Sequence, residues 1–408
     1  MEVLHERCAG LDVHKDSVVA CARVVADGVL SQQVQTFSTT TTGLLALSDW
    51  LVEQACTHVV MEATGVYWKP VWHILEESFE LVLANAMHVR NVPGRKTDVN
   101  DATWLADLLA HGLIRGSFVP PTSIQELRTL TRTRKQLVRE KSQHVQRIQK
   151  TLEDANIKLD SAVSDVMGMT GRAILNALVE GEADPKVLAG MARGNLRAKR
   201  GVLEEALRGR VTHHHRFLLK LHLDQVAAIE QAISTVETEL GALLEPFREK
   251  VQRLITMPGV SDIVAQVVVS EIGLDMGRFP TAGHLISWAG LCPRNDESAG
   301  KRRSTRLRKG APWLKTVLVQ AAWAAVRAKG TYLRAQFLRV KSRRGPKKAI
   351  LAVAASMLTA IYFMLRDDVD YRELGASHFD RLDQKKTIGR LVRRLEELGC
   401  AVELKPAA

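Results

Sequence analysis

Apolar positions in the first part of the chain change period several times, and each change marks an element. Cys8 to Val13, Val18 to Val25 and Val34 to Phe37 are short runs rich in β-branched residues, which predicts three strands, with Asp27-Gly28 as the turn between the second and third. Leu44 to Gln54 takes up the spacing of an amphipathic helix. A fourth apolar run, His58-Val59-Val60-Met61-Glu62, stops at Ala63-Thr64-Gly65, a strand-to-helix turn. Helix is then predicted near Tyr67 to Glu77, strand at Leu81 to Ala84, and helix through Leu105, Leu108 and Leu109. Pro120-Pro121 breaks the pattern and closes an α/β domain over residues 1–120.

Beyond the prolines the period is helical. Ile124, Leu127, Leu130, Leu137, Val145, Ile148 and Leu152 mark one long helix. Val226, Ile229, Ile233, Val236, Leu240, Leu243 and Phe247 mark a second, whose alternating steps of three and four make a coiled-coil seam of about three heptads. That seam is satisfied either by folding back on the first helix or by a second protomer. Residues 121–250 are read as this basic helix and coiled coil. Leu254 to Val260, with Met257-Pro258-Gly259-Val260 at its turn, reads as a helix-hairpin-helix opening a mostly helical domain over 251–366. Ala349 to Leu365 nears the length of about 17 residues that a membrane span needs, but its Ala, Ser and Thr content predicts close packing in a soluble core. Residues 367–408 form a basic extension containing Lys385, Lys386, Arg390, Arg393 and Arg394.

Charge narrows the partners. Across 408 residues, 57 Lys and Arg against 45 Asp and Glu leave a formal net charge of +12, so a polyanion is the expected partner; with Ala349 to Leu365 read as a core helix, no membrane is expected. Arg128, Arg132, Arg134, Lys135 and Arg139 lie between the apolar positions of the first long helix, a face that tracks a phosphate backbone or is simply solvated. Gly259 offers hairpin amides to a phosphate; Lys301, Arg302, Arg303, Arg306, Arg308 and Lys309 form a dense cluster; Arg343 and Arg344 form another. His213-His214-His215 falls in helical sequence, where neighbours point different ways, and reads as a polar face rather than a metal site. Cys8, Cys21, Cys56, Cys292 and Cys400 form no close pair, and no secretory signal opens the chain, which fits a reducing, cytoplasmic setting beside the nucleoid.

Chemistry concentrates in four acids. Asp12 falls on the first strand, Glu62 ends the fourth, and Asp98 and Asp101 stand at i and i+3 on one face ahead of the last helix. Clustered carboxylates raise one another's pKa unless a cation lies among them. Magnesium, as one or two ions held by oxygen ligands, is the expected cation, and such a site processes phosphodiesters. The alternative is four ordinary surface acids. The order three strands, helix, strand, helix, strand, helix, with acids at these places, resembles an α/β ribonuclease H-like fold of the RuvC-like branch.

A second centre is Ser298, in a polar loop before the Lys301 to Lys309 cluster. No histidine stands near as a base, so chemistry alone favours a loop residue beside a phosphate-binding patch over a nucleophile. Gly10-Leu11-Asp12-Val13-His14-Lys15, Met61 to Tyr67, Lys96-Thr97-Asp98 to Asp101-Ala102, Met257 to Val260, and Gly290 to Pro293 through Ser298-Ala299-Gly300-Lys301 together resemble the insertion sequence 110 family of transposases. The resemblance implies a RuvC-like domain with catalytic Asp12, Glu62, Asp98 and Asp101, joined through a coiled coil to a transposase domain with nucleophile Ser298. Ala299 stands where the family often has glycine, and Ser304 is the competing serine. It further implies a covalent phosphoserine at a composite site with Mg2+, DNA partners at the element ends and target, a noncoding bridge RNA as guide, and a homodimer or a tetramer on DNA. The rival readings are a junction nuclease using water as nucleophile and a non-catalytic nucleic-acid scaffold.

Overall fold

The computed structural model describes residues 3–63, 65–90, 92, 101–293, 296–298, 300–304, 306–307, 310–382 and 384–404. The chain divides into two compact units, Met1–Val119 and Pro120–Ala408.

In the first unit β1 (Arg7–Val13), β2 (Ser17–Ala26) and β3 (Val29–Ser38) are followed by α1 (Thr41–Glu53), β4 (His58–Glu62), α2 (Trp68–Leu75), β5 (Glu80–Ala84), α3 (Ala86–Arg90) and α4 (Asp101–Ala110). The strands form one mixed sheet in the order β3-β2-β1-β4-β5. The first three run antiparallel, while β4 is parallel to β1 and β5 to β4. β3 is longer than the Val34 to Phe37 run predicts. It pairs with β2 from Val29 to Ser38 yet buries only Phe37, so backbone pairing extends it where no apolar alternation exists.

Alternation sorts the central strands onto two layers. Ala9, Leu11, Val13, Val59 and Met61 pack against Leu44, Leu47 and Leu51 of α1 and Val71 and Leu75 of α2. Each fully buried leucine there contributes about 1.5–3 kcal/mol. On the other face Cys8 and Val60 pack against Leu105, Leu108 and Leu109 of α4.

The second unit is mostly helical. α5 (Thr122–Asp154) leads through α6 (Leu159–Ala162), α7 (Met169–Glu180), α8 (Pro185–Gly190) and α9 (Arg200–Ala206) to α10 (His213–Leu244). α10 runs back along α5, with Arg134 paired to Glu237, Lys141 to Glu230 and Asp154 to His215. Folding back is thus one way in which this chain meets its seam: Val226 and Leu240 are buried, whereas Ile229, Ile233 and Val236 stay half-buried. Ile148, Leu152, Ile157, Leu159, Ile174, Leu175, Leu178 and Leu203 fill a core at the far end of the pair. The three adjacent histidines open α10. His215 is buried, takes a hydrogen bond from the Thr212 amide on Nδ1 and meets Asp154 through Nε2 at 2.8 Å.

α11 (Arg248–Ile255), α12 (Asp262–Ile272), α13 (Ala282–Ala289), the hairpin β6 (Asp296–Ser298) and β7 (Lys301–Ser304), α14 (Pro312–Ala325), α15 (Tyr332–Arg344), α16 (Pro346–Asp367), α17 (His378–Leu382) and α18 (Gln384–Glu397) complete the unit. α16 is long and apolar enough to cross a membrane, but it buries Ile350, Val353, Met357, Leu358 and Ile361 as a core helix. Its end is tied to α11 by ion pairs of Asp368 with Lys250 and Arg253.

Candidate active site

Register explains how two of the acids come together. β1 and β4 are parallel neighbours with Leu11 opposite Met61, so Asp12 and Glu62 follow at the same level on adjacent strands. Leu11 and Met61 point into the α1 and α2 layer, and alternation turns Asp12 and Glu62 toward α4. α4 comes close because Gly10 has no side chain. A Cβ there would lie 2.2 Å from the Ala102 carbonyl oxygen and 2.5 Å from the Ala106 nitrogen. Asp101 occupies the first turn of α4, where the helix dipole favours a carboxylate.

The result is a cleft of about 170 Å³ lined by Asp12, Glu62 and Asp101, with His14, Arg90 and Trp104. Asp98 lies outside the described residues. Among the described residues no three acidic, histidine or cysteine side chains are gathered closely enough to hold a metal ion by themselves. The His14 Nε2 stands 3.2 Å from an Asp12 carboxylate oxygen. His14, Arg90 and Trp104 line the cleft beyond the acids that the sequence points to: His14 has a sequence signal in its place two residues after Asp12, whereas Arg90 and Trp104 reach the cleft only through the fold. The three carboxylates offer oxygen ligands, the kind that hard divalent cations take.

In the second unit Ser298 closes β6 and is paired in register with Lys301. Gly300 sits in this tight connection at φ +72°, a conformation that favours glycine. A bridge between Pro293 and Leu307 draws together the two legs below the hairpin. Ser304 lies at the opposite end of β7, and its Oγ accepts a hydrogen bond from the Arg306 amide at 3.2 Å. Lys301 and Arg306 are exposed; Arg302 and Arg303 belong to β7, while Arg308 and Lys309 fall outside the described residues.

Several predicted phosphate contacts are engaged inside the protein. Arg132 makes a two-point bond to Glu271 at 2.8 and 2.9 Å, and Arg128 donates to the Ser270 and Glu271 carbonyls at 3.2 and 2.7 Å. Burial lowers the Arg128 guanidinium to about 10, with Glu271 opposing the shift, so it stays charged at neutral pH. Arg134 pairs with Glu237. Gly259, at φ +84°, packs on α14: a Cβ there would lie 2.4 Å from the Ala321 carbonyl oxygen. Arg343 and Arg344 are exposed at the end of α15.

An acidic cleft at the ends of adjacent parallel strands, in a chain of net charge +12, defines a class of protein that acts on nucleic acid. Comparison with known proteins specifies which. Residues 9–157 match a transposase model for the DEDD domain of IS110 elements, and residues 251–338 match the transposase model of the IS116/IS110/IS902 family. The two matches together span more than half the chain, and the chain belongs to the IS110 family of transposases. A Pseudomonas aeruginosa protein described as a probable family 20 transposase is 24% identical over 77% of this chain and 85% of its own length. The 43.6 kDa protein of insertion element IS110 from Streptomyces coelicolor is 31% identical over 36% of each chain. The 44.8 kDa protein of insertion element IS116 from Streptomyces clavuligerus is 24% identical over 70% of this chain and 78% of its own. Transposases as a class bind, cut and rejoin DNA.

Proposed function

We propose that this transposase cuts DNA through a covalent phosphoserine on Ser298, with the Asp12, Glu62, Asp98 and Asp101 carboxylates as its metal-holding partners. The observation that carries the reading is the meeting of Asp12, Glu62 and Asp101 on one cleft although they come from three separate elements. The sheet order, antiparallel over its first three strands and parallel over its last two, supports a ribonuclease H-like domain of the RuvC-like kind. Asp12, Glu62 and Asp101, joined by Asp98, would hold Mg2+. Bound there, the ion would neutralise charge on a phosphodiester undergoing displacement.

Ser298 Oγ forms a bond to phosphorus as one phosphorus–oxygen bond to deoxyribose breaks, and the serine proton leaves as the displaced sugar oxygen gains one. One phosphoester replaces another, so the link is kept for rejoining. Its place beside Gly300 on a narrow hairpin supports Ser298 over Ser304, whose Oγ is already tied to a backbone amide. Basic surfaces would hold nucleic-acid backbones, with sequence choice supplied by a pairing noncoding RNA, as the family resemblance implies. The half-buried middle of the α10 seam supports a coiled coil with a second protomer, giving a homodimer.

The test is a denaturing gel for a protein–DNA adduct, using element ends, the adjacent noncoding RNA and Mg2+. The parent should form an adduct that Ser298→Ala and Asp12→Ala both lose. Mg2+-dependent nicking without an adduct, kept in Ser298→Ala, would instead establish a nuclease using water. For the dimer, light scattering should show a monomer once Ile229 and Ile233 are both changed to Lys; an unchanged oligomer rejects the seam. Absence of any enriched RNA flanking the gene, after purification from native cells, would reject RNA guidance.

A further inference from the structure

The cations of α5 are not equivalent. Arg128 and Arg132 are engaged by Glu271, Arg134 by Glu237 and Lys141 by Glu230. Among the described residues, Lys135 and Arg139 have no carboxylate partner. Arg132, Lys135 and Arg139 follow at i, i+3 and i+7, along one helix face. Both guanidinium groups of that set lie over the indole of Trp313, at 5.6 and 5.4 Å from its ring centre. Lys135 is therefore placed between two residues that both reach the same aromatic ring.

Lys135 is half-buried, and burial followed by repulsion from Arg139 lowers its ammonium pKa. A cation taken partly out of water beside a like charge is destabilised unless an anion joins it. The location says which anion. Trp313 is the second residue of α14, the helix that follows the serine hairpin. The Ala311 amide donates to the Trp288 carbonyl at 3.2 Å, which ties the start of α14 to α13, the helix that leads into that hairpin.

We propose that Lys135 and Arg139, set around Trp313 at the start of the helix that follows the serine hairpin, form a phosphate-positioning site that holds the backbone of the DNA offered to Ser298. The role rests on the reading of Ser298 as nucleophile, but the binding itself does not. It is sequence-independent, since a phosphate contact fixes register without reading bases. Lys135 and Arg139 touch no reacting atom and are positioning residues.

The experiment measures fluorescence anisotropy of a labelled random-sequence DNA duplex against salt, using the full chain. Each neutralised phosphate contributes a slope of about −0.9 in log affinity against log salt, so Lys135→Gln with Arg139→Gln should make the slope shallower by about 1.8. Lys150→Gln, which removes an exposed cation further along α5, should leave it unchanged. Lys135→Arg with Arg139→Lys should restore the parent slope, and this charge-conserving variant also serves if the neutral double variant folds poorly. In the adduct assay the double Gln variant should raise the half-saturating DNA concentration several-fold while keeping the rate at saturation. An unchanged slope, an equal loss with Lys150→Gln, or a loss seen with a structured RNA but not with duplex DNA overturns the proposal. A parent that binds with the predicted slope but forms no adduct sinks the phosphoserine reading and leaves the phosphate site standing.

Discussion

Gly10→Ala tests whether close approach of a helix to a strand builds the acidic cleft. The added Cβ would meet the Ala102 carbonyl oxygen at 2.2 Å, the Ala106 nitrogen at 2.5 Å and the Leu105 Cβ at 2.9 Å. Ordinary carbon–oxygen contact needs about 3.4 Å, so α4 must withdraw from β1 by roughly 1 Å. Two of the three obstacles are backbone atoms and cannot rotate away. Overpacking of this kind costs about 1–3 kcal/mol, and rigid neighbours favour the upper end. The same withdrawal carries Asp101 away from Asp12, and a misplacement near 1 Å can cost about 10²-fold in rate. The assay pairs urea unfolding with the rate of adduct formation, the rate being taken at a temperature where both proteins are folded. Expected are a lower unfolding midpoint with an unchanged slope and a rate reduced on the order of a hundredfold. Parent stability together with the parent rate would refute the reasoning, because the cleft would then not depend on how closely α4 sits on β1.

Glu271 is 1% exposed in its side chain and receives Arg132, with Arg128 close by, so Glu271→Ala should destabilise by about 3–5 kcal/mol in denaturant titration, and a loss under about 1 kcal/mol would show the ion cluster to be incidental. Burial, then His144 and Arg147, hold the His222 imidazole below its ordinary value. The unfolded chain thus takes up the proton first as pH falls through about 6.5; the contribution of neutral His222 is present above that value and declines below it, a pH dependence of the melting temperature that His222→Leu should flatten. Burial pushes the Cys8 thiol to about 12 and the Cys56 thiol to about 11, whereas Cys400 is exposed. Iodoacetamide at pH 8 should therefore label Cys400 and reach Cys8 and Cys56 only after unfolding; mass spectrometry showing early Cys8 labelling would contradict a buried β1.

What the sequence discloses and what it hides follow from the range of the forces involved. Alternation in Cys8 to Val13 and His58 to Glu62 is local, so the strands bearing Asp12 and Glu62 are readable, and with them two of the three acids on the described cleft. Their adjacency is not local. It depends on the β1–β4 register, which follows from burying Leu11 and Met61 in one layer and from the Gly10 approach that admits α4 on the other. β3 shows the limit from the opposite side, since a strand held by backbone pairing with nine of its ten residues exposed leaves no apolar period to read. The cations of α5 are the most instructive case. Sequence places Arg128, Arg132, Arg134, Lys135 and Arg139 on equal terms, because net charge carries no information about partners. Glu271 lies 139 residues from Arg132 and Glu237 lies 103 from Arg134, and only folding brings these acids to them. Once the internal pairs are drawn, Lys135 and Arg139 are the members of that set without a carboxylate among the described residues, and they are the two proposed to meet a phosphate.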